Sequence, residues 1–445
     1  MVTENKLKKI AKEVLRISKV AESEVLLLVG EHGLTRFANN QIHQNVAWED
    51  VGISVRIINN KKIGVASGNS FKQTDLNNVV ERASQLSKLQ KEDPNYICLP
   101  EAKKIDRIKE SVYDSKPEER AEAVDIIIRK AKDNNIIASG AFDSSTTEIA
   151  VANSRGVWAY HAASSSDLST IILGADSTGF ASKLGRKPEQ INAEEVANKA
   201  IQKVLEGKNP QEVKPSEWDV ILEPQAVNEM MTFFSWLGPN PRIYFEQASN
   251  LSGKVGKKIF GSNITIIDDP LNKSTFQMPF DFEGYPKKRL EIVKNGILKS
   301  LVYDSYYANK YKKENSGHAL PAPNTNGPMP FHLVIAPGKK SLDEMIKNVK
   351  KGLLVTRLWY VRVLNPRSLN ITGMTRDGTF IIRNGEIIGA AKNLRFNQSI
   401  PEALNNVVEI GRDLELLSSF ESEIGTNRMP SLHIKNWNFT SGTEF

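Results

Sequence analysis

The sequence has almost no cysteine, since Cys98 is the only one among 445 residues. A single cysteine cannot form an internal disulfide, which suits a reducing compartment. The chain also lacks any apolar run near the roughly 20 residues that cross a bilayer. Its basic N-terminus has neither a continuous apolar segment nor the small-residue cleavage site of a signal peptide. We therefore expect a cytoplasmic protein that has no membrane partner.

The composition shows no strong bias of charge or residue type. There are 59 basic and 52 acidic residues, a net charge of +7, with 40% hydrophobic and 25% charged residues. These are ordinary values for globular domains, so collagen-like, coiled-coil and largely disordered classes are excluded. The basic stretch at residues 339–351 lies on a predicted helix with acidic neighbours and no aromatic residue for base stacking. The charge therefore does not favour nucleic acid as a partner.

The common catalytic signatures are missing as well. The sequence has no Walker loop, no G-x-S-x-G elbow, no C-x-x-C pair and no H-E-x-x-H helix. None of its six histidines lies three to five residues from another. An ordinary helical zinc site in this chain is therefore not expected.

What the sequence does contain is a repeated order of elements. Residues 1–105 and residues 106–215 each read as a helix, several antiparallel strands and a helix, which indicates an internal duplication. A polar break at residues 206–217 separates them from residues 216–445, which read as β-rich. Asn295-Gly296 and Asn384-Gly385 each predict a two-residue β-hairpin there. We predict an α+β fold with an N-terminal domain of two similar halves and a C-terminal β-rich domain, barrel-like or sandwich-like.

An ordered series of short motifs runs along the chain. In the second half they are Asp219-Val-Ile-Leu-Glu-Pro224, Ser252-Gly-Lys-Val-Gly256, Thr265-Ile-Ile-Asp-Asp269, Asp281-Phe-Glu-Gly284, Asn295-Gly-Ile-Leu298, Ala336-Pro-Gly338 and Gly411-Arg-Asp413. The first half adds Asn39-Asn40-Gln41-Ile42, Gly52-Ile-Ser-Val-Arg56 and Asn153-Ser154-Arg155-Gly156. In this order the motifs resemble the TldD/TldE family, whose TldE members are also called PmbA. The resemblance covers nearly the whole chain.

In TldD-type members, the resemblance implies a zinc peptidase whose HExxxH helix supplies two ligands and a base, with a cysteine near the C-terminus as third ligand. Here Thr232 and Leu237 stand at the two histidine positions, and Phe233 stands at the glutamate position. No cysteine follows Cys98, and the corresponding C-terminal region offers Glu421 and Glu423. Phenylalanine and leucine neither bind a metal nor act as a base. The sequence predicts no catalytic residue and no metal at these positions.

This pattern resembles the TldE (PmbA) subfamily, which pairs with a TldD-type subunit. The resemblance implies a non-catalytic subunit of a metallopeptidase that degrades or trims unfolded peptides, with zinc held by the TldD-type partner. The apolar residues around Phe233 and Trp236 would then wall a chamber, although an ordinary buried core helix also explains them. Whether the chain is an enzyme by itself stays open. The alternatives are a lone peptidase using other residues, and a homodimeric peptide-binding or nucleic-acid-binding protein.

Four polar or aromatic residues are candidates for contacting a substrate. His318 lies in a loop where the family has polar residues facing the cleft, and it is the strongest single candidate. Asp281 and Glu283 could form a paired-carboxylate site, or they could cap turns. Trp236 belongs to the degenerate helix. A lone peptidase would use His318 with Asp281 or Glu283.

Overall fold

The computed structural model of the chain describes residues 2–20, 22–108, 112–113, 116–419 and 422–443. Its first half holds two units of the same order. The first consists of α1 (Glu4–Ser18), β1 (Glu22–Ala38), β2 (Gln41–Asn59), β3 (Lys62–Gly68) and α2 (Gln73–Leu89). The second consists of α3 (Pro117–Asp133), β4 (Ile137–Asn153), β5 (Trp158–Leu173), β6 (Thr178–Gly185), a 3-10 helix (Pro188–Gln190) and α4 (Ala193–Glu206). The predicted pair of similar halves is confirmed.

The six strands of the two units form one antiparallel sheet in the order β3-β2-β1-β4-β5-β6. The first strand of each unit lies at the centre, and these two strands pair from Glu24 with Asn153 to Phe37 with Gly140. Each unit therefore adds its second and third strands outward in the same way. The two helices of each unit bury their apolar residues against the sheet, which gives two hydrophobic cores, and each core also includes strand residues of the other unit.

The third strand of each unit is much shorter than the second. β3 pairs only with Ile53–Asn59 of β2, and β6 pairs only with Ser166–Leu173 of β5. Among the described residues, no strand pairs with the outer edge of residues 41–52 in β2 or of residues 158–165 in β5. The sheet is thus wider at its two ends than in its middle.

The second half is β-rich, as predicted. Its helices are α5 (Pro224–Leu237), α6 (Pro241–Phe245), α7 (Ser305–Tyr311), α8 (Leu342–Lys347) and α9 (Ile400–Asn405). Its strands are β7 (Glu217–Leu222), β8 (Ile266–Asp268), β9 (Leu290–Lys294), β10 (Ile297–Leu298), β11 (Leu333–Ile335), β12 (Lys351–Asn365), β13 (Asn370–Arg383), β14 (Glu386–Ala390), β15 (Leu394–Ser399), β16 (Val407–Ile410), β17 (Glu415–Ser419), β18 (Ser422–Met429) and β19 (Leu432–Gly442).

Five of these strands close into a barrel. The order is β12-β7-β19-β15-β13, and β13 pairs back with β12, which completes the ring. A second sheet has the order β10-β9-β8-β11-β18-β17. Both predicted hairpins are present, and the left-handed backbone at Asn295-Gly296 and Asn384-Gly385 explains why these residue types occupy the turns. Within the described residues no helix is long and apolar enough to cross a membrane.

Candidate functional site

The helix α5 follows barrel strand β7 directly and begins with Pro224 at a position where its missing amide hydrogen costs nothing. Met230, Met231 and Phe234 are fully buried in the main core of the second half. The helix ends at Gly238, whose amide donates to the carbonyl oxygen of Phe234 at 2.7 Å. Through these residues, α5 packs as a helix of the core.

The three positions that correspond to the zinc motif lie on this helix. The hydroxyl of Thr232 donates to the carbonyl oxygen of Asn228, one turn earlier, at 3.0 Å. Phe233 is half-buried and Leu237 is buried, both against the same core. Their side chains carry no atom that could bind a metal, so these residues do not fit a zinc ion.

In place of the cysteine ligand, the C-terminal region was expected to offer Glu421 and Glu423. Glu421 lies outside the described residues, and the side chain of Glu423 is not described either. Across the part of the chain that the structure describes, no group of three or more His, Cys, Asp and Glu residues is arranged to hold a metal ion. The acidic residue of α5 itself, Glu229, accepts a hydrogen bond from Gln225 at 3.2 Å, and burial raises its pKa.

His318 lies in a loop, as predicted, but it is buried. Its Nε2 atom is 3.0 Å from Oδ2 of Asp268, and its Nδ1 atom is 2.9 Å from Oγ of Ser316. Burial lowers the pKa of His318, so the neutral ring is favoured, donating to Asp268 and accepting from Ser316. Burial alone would raise the pKa of Asp268, but Lys287 and His318 outweigh it and lower that pKa. The arrangement fixes the loop through a buried polar chain.

Asp281 acts as a turn cap in the structure. Its Oδ1 atom accepts from the amides of Glu283 at 3.0 Å and Tyr285 at 2.9 Å, and its Oδ2 atom accepts from the amide of Ala319 at 2.9 Å. Burial and the neighbouring charge of Glu283 raise the pKa of Asp281 to about 8. Asp281 is 1% exposed, and its bond to the amide of Ala319 holds the loop next to His318 in place.

Glu283 joins the two halves of the protein. Its Oε1 atom accepts from Arg56 of β2 at 3.0 Å, and the same guanidinium donates to Glu24 of β1 at 2.8 Å. Its Oε2 atom accepts from the amide of Ser305 at 3.1 Å, next to Asp304. We call Glu24, Arg56, Asp281, Glu283 and Asp304 the interdomain acid cluster.

The interdomain acid cluster holds four carboxyl groups and one guanidinium. Burial raises the pKa of Glu24 to about 7, and it raises that of Asp304 to about 7 with a further contribution from Glu283. Burial would lower the pKa of Arg56, but Glu24 and Glu283 raise it, so this residue stays charged. The cluster therefore contains carboxyl groups that keep their protons near neutral pH, because one arginine cannot compensate four buried negative charges.

Two cavities flank the loop that follows His318. The first, of about 720 Å³, is lined by Trp236 of α5, by residues of β1 and β2, and by loop residues such as Leu320, Met329 and Phe331. The second, of about 600 Å³, is lined by Arg56, Glu283, Asp304 and Tyr306 among others. Leu320 lines both cavities. Both lie between the first-half sheet and the second half of the chain.

Of the four predicted substrate contacts, two thus line cavities and two do not. Trp236 and Glu283 reach a cavity, whereas His318 and Asp281 are buried and line neither. His318 bonds Asp268 rather than Asp281 or Glu283. Glu24 was not predicted from the sequence, although an acidic residue beside the apolar run of β1 was a signal for it. The role of Arg56, the last residue of the motif Gly52-Ile-Ser-Val-Arg56, was not predicted either.

The family models match all three parts of the chain. The PmbA/TldA metallopeptidase C-terminal domain matches residues 215–441, domain 1 matches residues 23–87, and the central domain matches residues 102–207. The chain belongs to the PmbA/TldD metallopeptidase family. The family resemblance read from the motifs is confirmed.

Several PmbA/TldD family members are similar along most of this chain. The metalloprotease PmbA homolog of Haemophilus influenzae is 24% identical over 435 residues, which cover 91% of this chain and 91% of that protein. The solved structure of TldE from Thermococcus kodakarensis has a TM-score of 0.87 at 23% identity and covers 98% of this chain and 99% of that one. A putative modulator of DNA gyrase from Bacteroides thetaiotaomicron has a TM-score of 0.85 at 20% identity, with complete coverage of both chains. These structures share the fold.

Proposed function

We propose that this chain is the TldE/PmbA-like, non-catalytic subunit of a two-chain, TldD-type metallopeptidase that processes or degrades unfolded peptides in the cytoplasm. The observation that carries the proposal is the chemistry of α5. At the three motif positions it presents a hydroxyl already bonded to Asn228, a phenyl ring and an isobutyl group. None of them supplies a base for water or an open metal position.

The zinc ion of such an enzyme would be held by the TldD-type partner, and this chain would need no cofactor of its own. The residues of this chain would line part of the cavity that binds an extended peptide. Trp236 and Phe331 line the larger cavity, together with loop residues such as Leu320 and Met329 and with residues of β1 and β2. A cavity between two halves of a fold is a common place for a peptide or small ligand to bind.

The test is to mix the purified chain with a TldD-type chain encoded in the same genome. We expect a 1:1 complex by light scattering, zinc in that complex, and cleavage of an unfolded reporter peptide in the mixture only. The chain alone should carry far less than one zinc ion per molecule. One zinc per lone chain together with chelator-sensitive cleavage would overturn the proposal.

A variant of Trp236 tests whether the larger cavity takes part in cleavage, separately from association of the two subunits. Trp236→Ala should lower kcat/KM of the mixture for an unfolded peptide without changing the mass of the complex. Trp359→Ala is the matched control, because Trp359 is an exposed tryptophan that lines neither cavity. Equal activity of both variants would show that the larger cavity plays no part in peptide processing.

A peptidase that works alone through His318 remains the competing function. It predicts cleavage by the purified single chain and loss of that cleavage in His318→Ala. The buried position of the imidazole ring between Asp268 and Ser316 argues against a lone peptidase, since the ring lines neither cavity. A nucleic-acid-binding role predicts retention of DNA at low salt that falls steeply as salt is added.

A further inference from the structure

The smaller of the two cavities has a lining with more negative than positive charge. Three acidic residues line it, Asp93, Glu283 and Asp304, against one basic residue, Arg56. The guanidinium of Arg56 is already shared between Glu283 at 3.0 Å and Glu24 at 2.8 Å. Asp93 and Asp304 therefore have no basic partner among the described residues that line this cavity.

Asp304 is the carboxylate that is open toward the cavity. The residue is 7% exposed, and its Oδ1 atom accepts from the amide of Tyr307 at 2.8 Å. In the part of the chain that the structure describes, no other residue donates to its Oδ2 atom. Buried polar atoms in folded proteins are nearly always hydrogen-bonded. The Oδ2 atom is therefore positioned to accept from a donor outside the chain.

The electrostatics of the cavity decide the sign of that donor. Burial and the neighbouring charge of Glu283 raise the pKa of Asp304 to about 7. A positive charge beside the Oδ2 atom would favour the ionised carboxylate, whereas a negative charge would add to the repulsion. The lining therefore favours a cationic ligand over an anionic one.

The apolar residues of the same cavity lie nearer to solvent than its acidic residues do. Ile97 and Leu86 are 61% and 38% exposed, whereas Asp304 and Glu283 are 7% and 6% exposed. A long aliphatic chain that ends in a charge matches this order, because its methylene groups can contact the apolar residues while the charge reaches the carboxylate. The volume of about 600 Å³ is typical of small-ligand sites.

We propose that the smaller cavity binds a primary ammonium group at the end of an aliphatic chain, with Asp304 as the residue that accepts from it. A guanidinium group fits less well, because its two parallel bonds need both oxygens of a carboxylate and the amide of Tyr307 already occupies Oδ1. Two sources carry the required group, the lysine side chain of a peptide and a free aliphatic amine. The proposal does not depend on the proposed peptidase function, because binding is measured on the chain alone.

A comparison of three small compounds tests the chemistry of the site. Calorimetric titration of the full-length chain at neutral pH would use Nα-acetyl-lysine amide, the norleucine compound, which has the same aliphatic chain without the ammonium, and the arginine compound. The lysine compound should bind at least about ten-fold more tightly than either of the others. Equal affinity of the lysine and norleucine compounds would overturn the proposal, and so would tighter binding of the arginine compound.

The single cysteine of the chain tests the location without any substitution. Cys98 lines this cavity and is partly exposed. At a concentration about ten-fold above its Kd, the lysine compound should slow alkylation of Cys98 by iodoacetamide about ten-fold, because about a tenth of the sites stay free. The norleucine compound at the same concentration should leave the rate unchanged. An unchanged rate with the lysine compound would place its binding elsewhere and overturn the proposal.

A variant of Asp304 tests the accepting residue. Asp304→Asn removes the charge and keeps an acceptor for the amide of Tyr307, so we expect at least about ten-fold weaker binding of the lysine compound and unchanged binding of the norleucine compound. Asp133→Asn, at the exposed end of α3, is the matched control and should bind as the wild type does. Wild-type affinity in a folded Asp304→Asn variant would overturn the proposal.

A fourth compound distinguishes the two sources of the ammonium group. n-Butylamine is the lysine side chain without its backbone. Affinity equal to that of the lysine compound, lost in Asp304→Asn, would support the proposal with a free amine as ligand. Binding at least about ten-fold weaker than that of the lysine compound would support it with a lysine side chain of a peptide, since the backbone would then contribute contacts of its own.

Discussion

The two units of the first half place the same kind of strand edge in opposite environments. In the first unit, residues 41–52 of β2 are mostly exposed, and Trp48 is among the most exposed tryptophans of the chain. In the second unit, the corresponding residues 158–165 of β5 are covered. The amide of Tyr113 donates to Ser164 at 2.7 Å, and the backbone of Gln277 bonds to His161.

The same chain therefore covers residues 158–165 of β5 more fully than residues 41–52 of β2. Trp158 and Tyr160 of β5 pack against the core beneath α1, and His161 is 4% exposed. The second half of the chain contacts β5 through Gln277, and it contacts the covered end of β2, where Ser54 donates to Ala322 and Arg56 donates to Glu283. The two similar halves of the sheet differ in what their outer edges contact. The bare edge of β2 is the one that another molecule could reach.

The largest expected effect comes from the covered end of β2. Arg56→Ala would leave Glu24 and Glu283 buried without their shared guanidinium, and both carboxyl groups are at least nine-tenths buried. Removal of one partner from a buried ion pair costs about 3–5 kcal/mol. We expect a fall of that size in the free energy of unfolding, measured by chemical denaturation with fluorescence.

Arg36→Ala is the control for this change, because Arg36 is an exposed arginine on the bare end of the same sheet. A surface substitution of this kind usually alters the free energy of unfolding by less than about 0.5 kcal/mol. Equal effects at Arg36 and Arg56 would mean that the two ends of the sheet do not differ as the burial indicates.

A smaller effect is expected where β5 is covered. Tyr160→Ala removes a ring packed on the core of the first unit and a hydroxyl that donates to Glu148 at 2.8 Å. Glu148 is fully buried and would lose a donor. The combined cost should be about 2–4 kcal/mol in the free energy of unfolding.

Val46→Ala gives the matched measurement on the bare strand. Because Val46 is 38% exposed, its cost should stay below about 0.5 kcal/mol. If Tyr160→Ala and Val46→Ala cost the same, the contrast between a covered and a bare edge is wrong.

Much of the fold could be predicted because its signals are local. The two Asn-Gly turns need residues that tolerate a left-handed backbone, and the repeated order of helices and strands can be read directly from periodicity. The serines of residues 164–166 interrupt the apolar pattern of β5, so periodicity alone does not show that it is one strand. In the structure Ser165 bonds to Ser145 of β4 at 2.8 Å, which satisfies a polar residue inside a sheet.

The candidate site could be predicted only in part, for the same physical reason. The positions on α5 were found because they belong to one contiguous motif. The bond between Arg56 and Glu283 joins residues 227 positions apart, and no local pattern indicates which distant charges will meet. His318 was predicted to contact substrate from a loop facing the cleft, but its partner Asp268 lies 50 residues earlier and holds the ring in the interior.

The last and smallest effect is a pH dependence that comes from the interdomain acid cluster. Because the pKa of Asp304 is raised to about 7, from an ordinary value near 4, the folded protein keeps a proton there that the unfolded chain has released. The folded state therefore binds more protons between about pH 5 and pH 7, and its stability falls as the pH rises through this window. Glu24, with a pKa of about 7, and Asp281, with a pKa of about 8, act in the same direction.

Asp304→Asn removes one of these groups and keeps the shape of the side chain. The amide oxygen can still accept from the amide of Tyr307, the bond that caps α7 at 2.8 Å in the native protein. We expect the free energy of unfolding to fall by about 1–2 kcal/mol less in this variant than in the wild type between about pH 5.5 and pH 8. Asp133→Asn, at the exposed end of α3, should leave the wild-type slope unchanged. Parallel slopes for all three proteins would mean that Asp304 is ionised throughout, and the cluster would then need a positive charge besides Arg56.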